Sequence, residues 1–110
     1  MDVSLAAHID RFNEGARSGD FASMLAAFAP DAELVFVGVP VGPFFGVDAI
    51  AAAYAAQPPD DTIILLGRSR HEAGLEVADY AWAADGVRAG KILLGTADGT
   101  IVRLVVTFEG

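Results

Sequence analysis

The C-terminal half of the chain alternates strand-forming runs with turn signals, and this pattern constrains the fold more than any other feature. Two Asp-Gly dipeptides, Asp85-Gly86 and Asp98-Gly99, separate the later runs, and such dipeptides supply the positive φ angles of tight hairpins. Because hairpins join neighbouring strands, we expect an antiparallel sheet. The predicted strands are residues 62–70, 75–84, 87–94 and 100–108.

The N-terminal half carries three helical patterns and one further strand pattern. Gly19 ends the first helix, Asp20 caps the second, and Pro30 ends the second. The third begins near Asp48 and ends before Pro58. Helices followed by hairpin-linked strands predict one α+β domain over residues 1–110, with the helices on one face of the sheet. The apolar residues that define the helices are Leu5, Ile9, Phe12 and Ala16, then Phe21, Met24, Leu25 and Phe28, then Ile50 and Tyr54, and residues 33–39 form the strand pattern.

Composition excludes several classes of function. The chain has no cysteine, which excludes disulfides, thiol nucleophiles and thiolate metal sites. A net charge of −8 would repel nucleic acid, and no apolar run approaches the roughly 18 residues of a membrane span. Neither histidine has further ligands at a suitable spacing, and the glycines at 38, 42 and 46 do not match a dinucleotide fingerprint. We therefore expect a cytoplasmic protein with no metal and no cofactor.

Several predicted strands are apolar on both faces of the sheet. The helices can cover only one of these faces, and large exposed apolar patches usually mark interfaces. We therefore expect a homodimer formed through the outer face of the sheet. The runs in question are residues 63–66, 92–94 and 104–106.

Aromatic and aliphatic side chains from separate elements are expected to converge in the interior. Strand alternation puts Tyr80 and Trp82 on one face, and Phe12 and Tyr54 are their natural partners on the helices. Such residues either line an apolar pocket or fill a core, and the pattern leaves both possibilities open. The expected lining is Phe12, Phe28, Phe36, Tyr54, Tyr80, Trp82, Leu93, Leu104, Val106 and Phe108.

A series of short motifs resembles the nuclear-transport-factor-2-like superfamily. The motifs are Arg11-Phe12, Gly19-Asp20, residues 28–32, residues 46–50 with Tyr54, and residues 98–101. Their order and spacing are most similar to the branch that contains ketosteroid isomerases and SnoaL-like polyketide cyclases. The resemblance implies a cone-shaped fold, with three N-terminal helices packed on a strongly curved antiparallel sheet around a deep pocket.

The catalytic residues of ketosteroid isomerase have no counterparts in this chain. That enzyme uses an aspartate base, with a tyrosine and a protonated aspartic acid that hold the oxyanion. The resemblance implies that Phe12 occupies the position of the tyrosine and Lys91 the position of the protonated aspartic acid. The aspartate base would fall within residues 36–39, which contain no acidic residue. The Lys91 side chain either enters the pocket, as a desolvated base or an anion anchor, or extends to the rim of the pocket. His8, one turn before Phe12, is expected near the mouth, as a proton shuttle or as a helix-surface histidine.

Three functions are compatible with these residues. The first is a SnoaL-like domain that binds a small apolar or aromatic molecule, and whether it is also an enzyme stays open. The second is an active isomerase, polyketide cyclase or hydrolase that uses Lys91, His8 and Tyr54. The third is a non-catalytic dimerisation module with a filled core. The fold hosts many unrelated activities, so the resemblance does not identify a ligand.

Overall fold

The protein has an α+β architecture in which short helices pack against one face of a six-stranded sheet. The structure is a computed structural model that describes residues 1–109. The sheet order is β2-β1-β6-β5-β4-β3. The elements in chain order are α1 Leu5–Ser18, α2 Ala22–Leu25, β1 Phe28–Val37, β2 Phe44–Phe45, α3 Val47–Ala56, β3 Ile63–Glu72, β4 Leu75–Trp82, β5 Arg88–Ala97 and β6 Thr100–Thr107.

Helix α1 begins and ends as its sequence predicts. The Ser4 hydroxyl accepts a hydrogen bond from the Ala7 amide at the N-terminus, which satisfies one of the free amides of the first turn. Gly19 closes the C-terminus with a φ of 80°, a conformation that glycine adopts without strain. The apolar stripe of α1, which includes Ile9 and Phe12, is buried. The prediction of the first helix is confirmed.

The second helix is much shorter than predicted. α2 is a single turn, and Phe28 is the first residue of β1 rather than the end of a helix. The Ile101 amide donates to the Ala27 carbonyl at 2.9 Å, and Phe28 is the register partner of Ile101 in β6. The pairing of Phe28 with β6 therefore overrides the helical pattern. This pairing is a property of the tertiary structure and not of the local sequence.

The strands of the C-terminal half form the predicted antiparallel hairpins, but the sheet as a whole is mixed. β3, β4, β5 and β6 pair antiparallel in sequence order. β1 pairs with β6 in the parallel direction. The prediction of a wholly antiparallel sheet is wrong for this one pair, because β1 and β6 are not joined by a hairpin that would fix their directions.

Two-residue turns join β3 to β4 and β5 to β6, and one of them lacks the usual signal. Asp98 and Gly99 have φ angles of 53° and 77°, as a hairpin with positive φ at both positions requires. The β3–β4 hairpin turns at Ala73 and Gly74, with φ angles of 53° and 82°. An alanine at positive φ is sterically unfavourable, so Ala73-Gly74 is not one of the usual hairpin dipeptides.

Two polar contacts fix α1 across the concave face of the sheet. The Leu5 amide donates to Glu76 Oε1 at 2.8 Å, so a carboxylate on β4 sits at the helix N-terminus. Asn13 binds both backbone groups of Ile63 on β3, since its Nδ2 donates to the carbonyl at 2.9 Å and its Oδ1 accepts from the amide at 2.7 Å. These contacts set the position of α1 relative to the sheet.

The core lies between α1, α2, α3 and the inner face of the sheet. Strand alternation divides the sheet residues cleanly: Ile92 and Leu104 face inward, whereas Leu93 and Val105 face outward. Bulges interrupt the register in the β3–β4, β4–β5 and β5–β6 pairs, and bulges bend the strands that carry them. The resulting curvature leaves the inner face concave.

No helix within residues 1–109 is long and apolar enough to cross a membrane.

Candidate functional site

A cavity of about 320 Å³ lies between the concave face of the sheet, α1 and α3. It is lined almost entirely by apolar side chains. Only four of the lining residues carry a polar side-chain atom, namely His8, Tyr54, Gln57 and Trp82. The remaining lining residues are Ile9, Phe12, Phe36, Val41, Phe44, Ala53, Ala56, Pro59, Ile63, Ile92, Leu104, Val106 and Phe108.

The cavity has an exposed mouth and a buried floor. Val41 and Gln57 are exposed lining residues, and they come from the β1–β2 connection and the end of α3. Ile92 and Leu104, on the central strands, are 1% exposed and form the floor. The cavity therefore opens between the segment around Val41 and the end of α3.

Seven of the seventeen lining residues carry aromatic rings. Phe12 lies at the centre of one group, with ring centroids 6.3 Å from Trp82 and 6.4 Å from Tyr54. Phe36 and Phe108 form a second group, with centroids 6.2 Å apart. Aromatic contacts at these distances are favourable beyond the burial of their surface, and they hold the rings in defined orientations.

His8 is the one buried polar residue on the wall. It is 2% exposed, its ring packs edge-on against Phe28 at 5.8 Å, and its Nδ1 has no hydrogen-bond partner among the described residues. Burial first, and the nearby positive charge of Arg11 second, lower the pKa of His8 to about 4. His8 is therefore a neutral imidazole at pH 7. The structure places it deep in the wall, which corrects the expectation that it lies near the mouth or on the helix surface.

Tyr54 is the hydroxyl-bearing residue contributed by α3. Its ring contacts Phe12 and also Phe21, whose centroid lies 5.1 Å away. Burial raises the pKa of the Tyr54 phenol above its ordinary value, so the group keeps its proton at any physiological pH. Tyr54 can therefore act only as a neutral hydrogen-bonding group.

Most of the predicted lining residues do line the cavity, and three do not. Phe28 is buried behind the His8 ring, and Leu93 lies on the outer face of the sheet. Tyr80 is fully buried and its hydroxyl donates to the Thr107 carbonyl at 2.9 Å. Burial, together with the negative charge of Glu109, raises the pKa of Tyr80 to about 12. The seven predicted residues that line the cavity are Phe12, Phe36, Tyr54, Trp82, Leu104, Val106 and Phe108.

Lys91 lies outside the cavity. It shares the outer face of β5 with Leu93, because alternate residues of a strand point the same way, and its register partner on β4 is Asp79. The Lys91 amide donates to Thr107 Oγ1 at 2.8 Å. Lys91 therefore has no access to a ligand in the cavity, and the expectation that it replaces a catalytic acid is not supported by its position.

Some lining residues were not predicted from the sequence. Ile9 and Ile92 follow the same helical and strand periodicity as the predicted residues, so this signal could have identified them. Val41 comes from the β1–β2 connection, Phe44 from the two-residue strand β2, and Gln57 and Pro59 from the segment after α3, and none of these segments is long enough for a periodicity to indicate a direction. Their place on the wall depends on the path of the loops.

The chemistry that the wall can perform is limited. Among the described residues, the cavity is lined by no side chain with a formal charge at pH 7, since His8 is neutral. An effective general acid or base has a pKa near the working pH, and neither His8 nor Tyr54 meets this condition. Within residues 1–109 no group of three or more histidine and carboxylate side chains could hold a metal ion. The arrangement suits recognition of an apolar molecule better than proton transfer.

No family model and no curated protein matches the chain. Solved structures do match along nearly its whole length. One is a nuclear-transport-factor-2-like protein of unknown function from Cytophaga hutchinsonii, with 14% identity and a TM-score of 0.69 over 99% of this chain and 93% of that one. A second, from Agrobacterium tumefaciens, is provisionally assigned as an isomerase of the SnoaL-like family, with 17% identity and a TM-score of 0.66 over 96% and 97%.

A third match is a computationally designed 17-OHP binder, with 17% identity and a TM-score of 0.70 over 94% of this chain and 89% of that one. At these identities the likeness concerns the fold, and it agrees with the element order and the concave sheet of this chain. The chain therefore has the nuclear-transport-factor-2-like fold, of the α+β type that SnoaL-like and ketosteroid isomerase-like proteins share.

Proposed function

We propose that the protein binds a small, mostly apolar molecule in the cavity. The observation that carries this proposal is the size of the open apolar space, about 320 Å³. For comparison, an apolar protein cavity of roughly 150 Å³ takes up benzene. A cavity twice that size fits two fused rings, and its exposed mouth gives a path for entry.

Binding without chemistry has more support than the enzymatic alternative. Lys91 is outside the cavity, and the two polar residues left from the proposed catalytic set, His8 and Tyr54, are both neutral at pH 7. The open volume also speaks against a dimerisation module with a filled core. The design of a 17-OHP binder on the same fold supports a ligand-binding role, since it indicates that such a cone accommodates an organic molecule.

Binding can be measured with the fluorescence of Trp82. Trp82 is the only tryptophan of the chain and it lines the cavity, so an occupant changes the surroundings of its indole directly. The probe is tetralin, a fused bicyclic hydrocarbon with no polar atom. We expect saturable quenching or enhancement, together with a rise in melting temperature, because a ligand of the folded state stabilises it.

Two alanines on α3 offer a matched pair of variants. Ala53 lines the cavity, and its neighbour Ala52 is exposed and does not. Ala53→Phe places a ring in the cavity and should weaken tetralin binding at least tenfold, whereas Ala52→Phe should leave the affinity unchanged. Equal affinities for the two variants, or no saturable binding by the unmodified protein, would refute a binding function for this cavity.

We also propose that a second copy of the chain covers the outer face of the sheet. An apolar row crosses this face in register, from Val35 through Val105 and Leu93 to Val77. Val35 and Leu93 are half-buried, whereas Val105 and Val77 are already buried within the chain. Ile64, on the same face of β3, is 44% exposed. An apolar centre with a charged rim is typical of protein interfaces, and Arg103 with Glu33, 3.0 Å apart, together with Lys91 and Asp79, borders the row.

Sedimentation equilibrium at micromolar concentration tests this assembly. We expect a dimer for the unmodified chain and a monomer for Leu93→Asp, which puts a charge in the centre of the row. Ala52→Asp, on an exposed part of α3, serves as the control and should remain dimeric. A monomeric unmodified chain would contradict the proposal.

A further inference from the structure

We infer that His8 donates the directional hydrogen bond of the cavity, and that the ligand carries an acceptor oxygen, such as a ketone, ester or ether, on an otherwise apolar skeleton. The inference rests on the proposed binding function and adds the chemical class of the ligand. It follows from three features of His8: its burial, its missing partner and its tautomer.

His8 is the only fully buried polar side chain among the described residues that line the cavity. Gln57 lies at the exposed mouth, and Tyr54 and Trp82 are half-buried, so these three retain some access to solvent. His8 is 2% exposed and lines the same cavity as the buried Ile92 and Leu104. Among the polar lining side chains it is therefore the one most removed from solvent.

Burial of the His8 imidazole with an unpartnered nitrogen lowers the free energy of unfolding. A buried polar group without a hydrogen bond destabilises the folded state, and such groups are uncommon in native proteins unless a ligand or water satisfies them. An apolar residue at this position of α1 would fill the same space against Phe28 without that cost. A hydrogen bond from Nε2 to an occupant of the cavity would offset part of this cost, while Nδ1 stays without a partner.

The missing partner also indicates the tautomer. His8 is neutral, so one ring nitrogen carries a hydrogen and the other a lone pair. Nδ1 is enclosed and unpartnered, and an orphaned N–H is rarer in proteins than an orphaned acceptor. The lone pair therefore belongs on Nδ1 and the hydrogen on Nε2. His8 lines the cavity although its Nδ1 is enclosed, so we assign the opposite edge of the ring, where Nε2 donates, to the cavity side.

The positive charge near the ring helps to keep the imidazole neutral, as the tautomer assignment requires. Arg11 lies one turn further along α1, and its positive charge disfavours a second proton on the imidazole. No carboxylate appears among the groups that affect the charge state of His8. The ring therefore presents one donor and is not converted to an imidazolium by a bound neutral molecule.

Three probes with one skeleton test the inference. Tetralin has no oxygen, α-tetralone has an acceptor oxygen only, and 1-tetralol has a hydroxyl that can both donate and accept. Their dissociation constants are measured by Trp82 fluorescence for the unmodified protein, for His8→Leu, which removes the donor, and for His8→Gln, which keeps an N–H group on a side chain of similar reach. Melting temperatures establish that each variant is folded.

The readout is the ratio of the tetralin and α-tetralone dissociation constants. Comparing this ratio between proteins cancels the different solubilities of the probes. We expect the ratio to fall about tenfold from the unmodified protein to His8→Leu, as for the loss of one hydrogen bond, and to recover in His8→Gln. We also expect α-tetralone to bind the unmodified protein at least as tightly as 1-tetralol, because an N–H group on Nε2 cannot accept a hydrogen bond from the hydroxyl of 1-tetralol.

The possible failures are distinguishable. If tetralin binds but the ratio is the same with and without His8, the inference is wrong and the binding function stands. If 1-tetralol binds more tightly than α-tetralone and this preference disappears in His8→Leu, Nε2 is an acceptor and the assigned ligand class is wrong. If none of the three probes binds, the binding function itself fails.

Discussion

The buried imidazole of His8 should make the stability of the protein depend on pH in a defined window. In the unfolded chain the His8 pKa has its ordinary value of 6.5, and in the folded chain burial lowers it to about 4. Between these two values the unfolded state binds a proton that the folded state does not. The stabilisation is therefore complete above pH 6.5 and is lost as the pH falls toward 4. At 1.36 kcal/mol per pKa unit, the loss amounts to about 3 kcal/mol.

Urea unfolding, followed by Trp82 fluorescence at a series of pH values from 7.5 to about 4, measures this loss. His8→Leu removes the titrating group, so its free energy of unfolding should vary less over the window, by the same ~3 kcal/mol. His71→Leu is the matched control, because His71 is the only other histidine and is exposed. It should keep the pH dependence of the unmodified protein.

Carboxylates do not interfere with this comparison. Hydrogen bonds from Ser4 lower the pKa of Asp2 below 3.8, and a hydrogen bond from Thr107, aided by Arg88, lowers that of Glu109 below 4.5. Their stabilisation is present above the ordinary carboxyl range and is lost as the pH falls through and below that range, which overlaps only the lower end of the pH series. They also occur in every variant. If the unmodified protein and His8→Leu lose stability in parallel between pH 6.5 and 4, His8 is not buried as a neutral ring.

Three further substitutions test how local geometry sets stability, each by urea or thermal unfolding. Asn13→Ala removes both hydrogen bonds to the Ile63 backbone and should destabilise the fold by about 2 kcal/mol, whereas a change below 0.5 kcal/mol would mean that water replaces them fully. Ala73→Asn relieves an alanine at a φ of 53° and should stabilise by about 1 kcal/mol, and no gain would contradict the turn geometry. Gly15→Ala should destabilise by roughly 1–3 kcal/mol despite the higher helix propensity of alanine, because a Cβ would collide with the buried Phe21 ring, and a more stable variant would exclude that contact.

The parts of the fold that the sequence predicted are those governed by local signals. α1 has a continuous apolar stripe and a glycine stop, α3 has an acidic first turn and terminal prolines, and the later strands carry Asp-Gly turns. The extent of α2 and the direction of β1 depend on the pairing of Phe28 with Ile101, residues far apart in the chain. No local pattern contains that information.

The same distinction explains which site residues were predicted. The aromatic wall follows from periodicity, so Phe12, Trp82 and Phe108 were identified as facing the interior. Lys91 and Leu93 were assigned to the wrong face because a shift of one residue along a strand reverses every side chain. A bulge interrupts the register of β5 and β6 between Gly95 and Thr96, so residue spacing along these strands does not directly give the face of a side chain. The expectations of a cytoplasmic location and of no nucleic-acid partner stay predictions.

An apolar cavity tends to close, and directional contacts are the means by which this chain resists that tendency. Apolar contacts are nondirectional, so the rings on α1 would be equally well buried if the helix settled further onto the sheet. Glu76 at the start of α1 and Asn13 near its end bind backbone groups at fixed distances, and hydrogen bonds weaken steeply when those distances or angles change. Between these two anchors the helix carries His8 and Phe12 across the cavity. The spacing between α1 and the sheet is thus set by polar residues that lie outside the lining of the cavity.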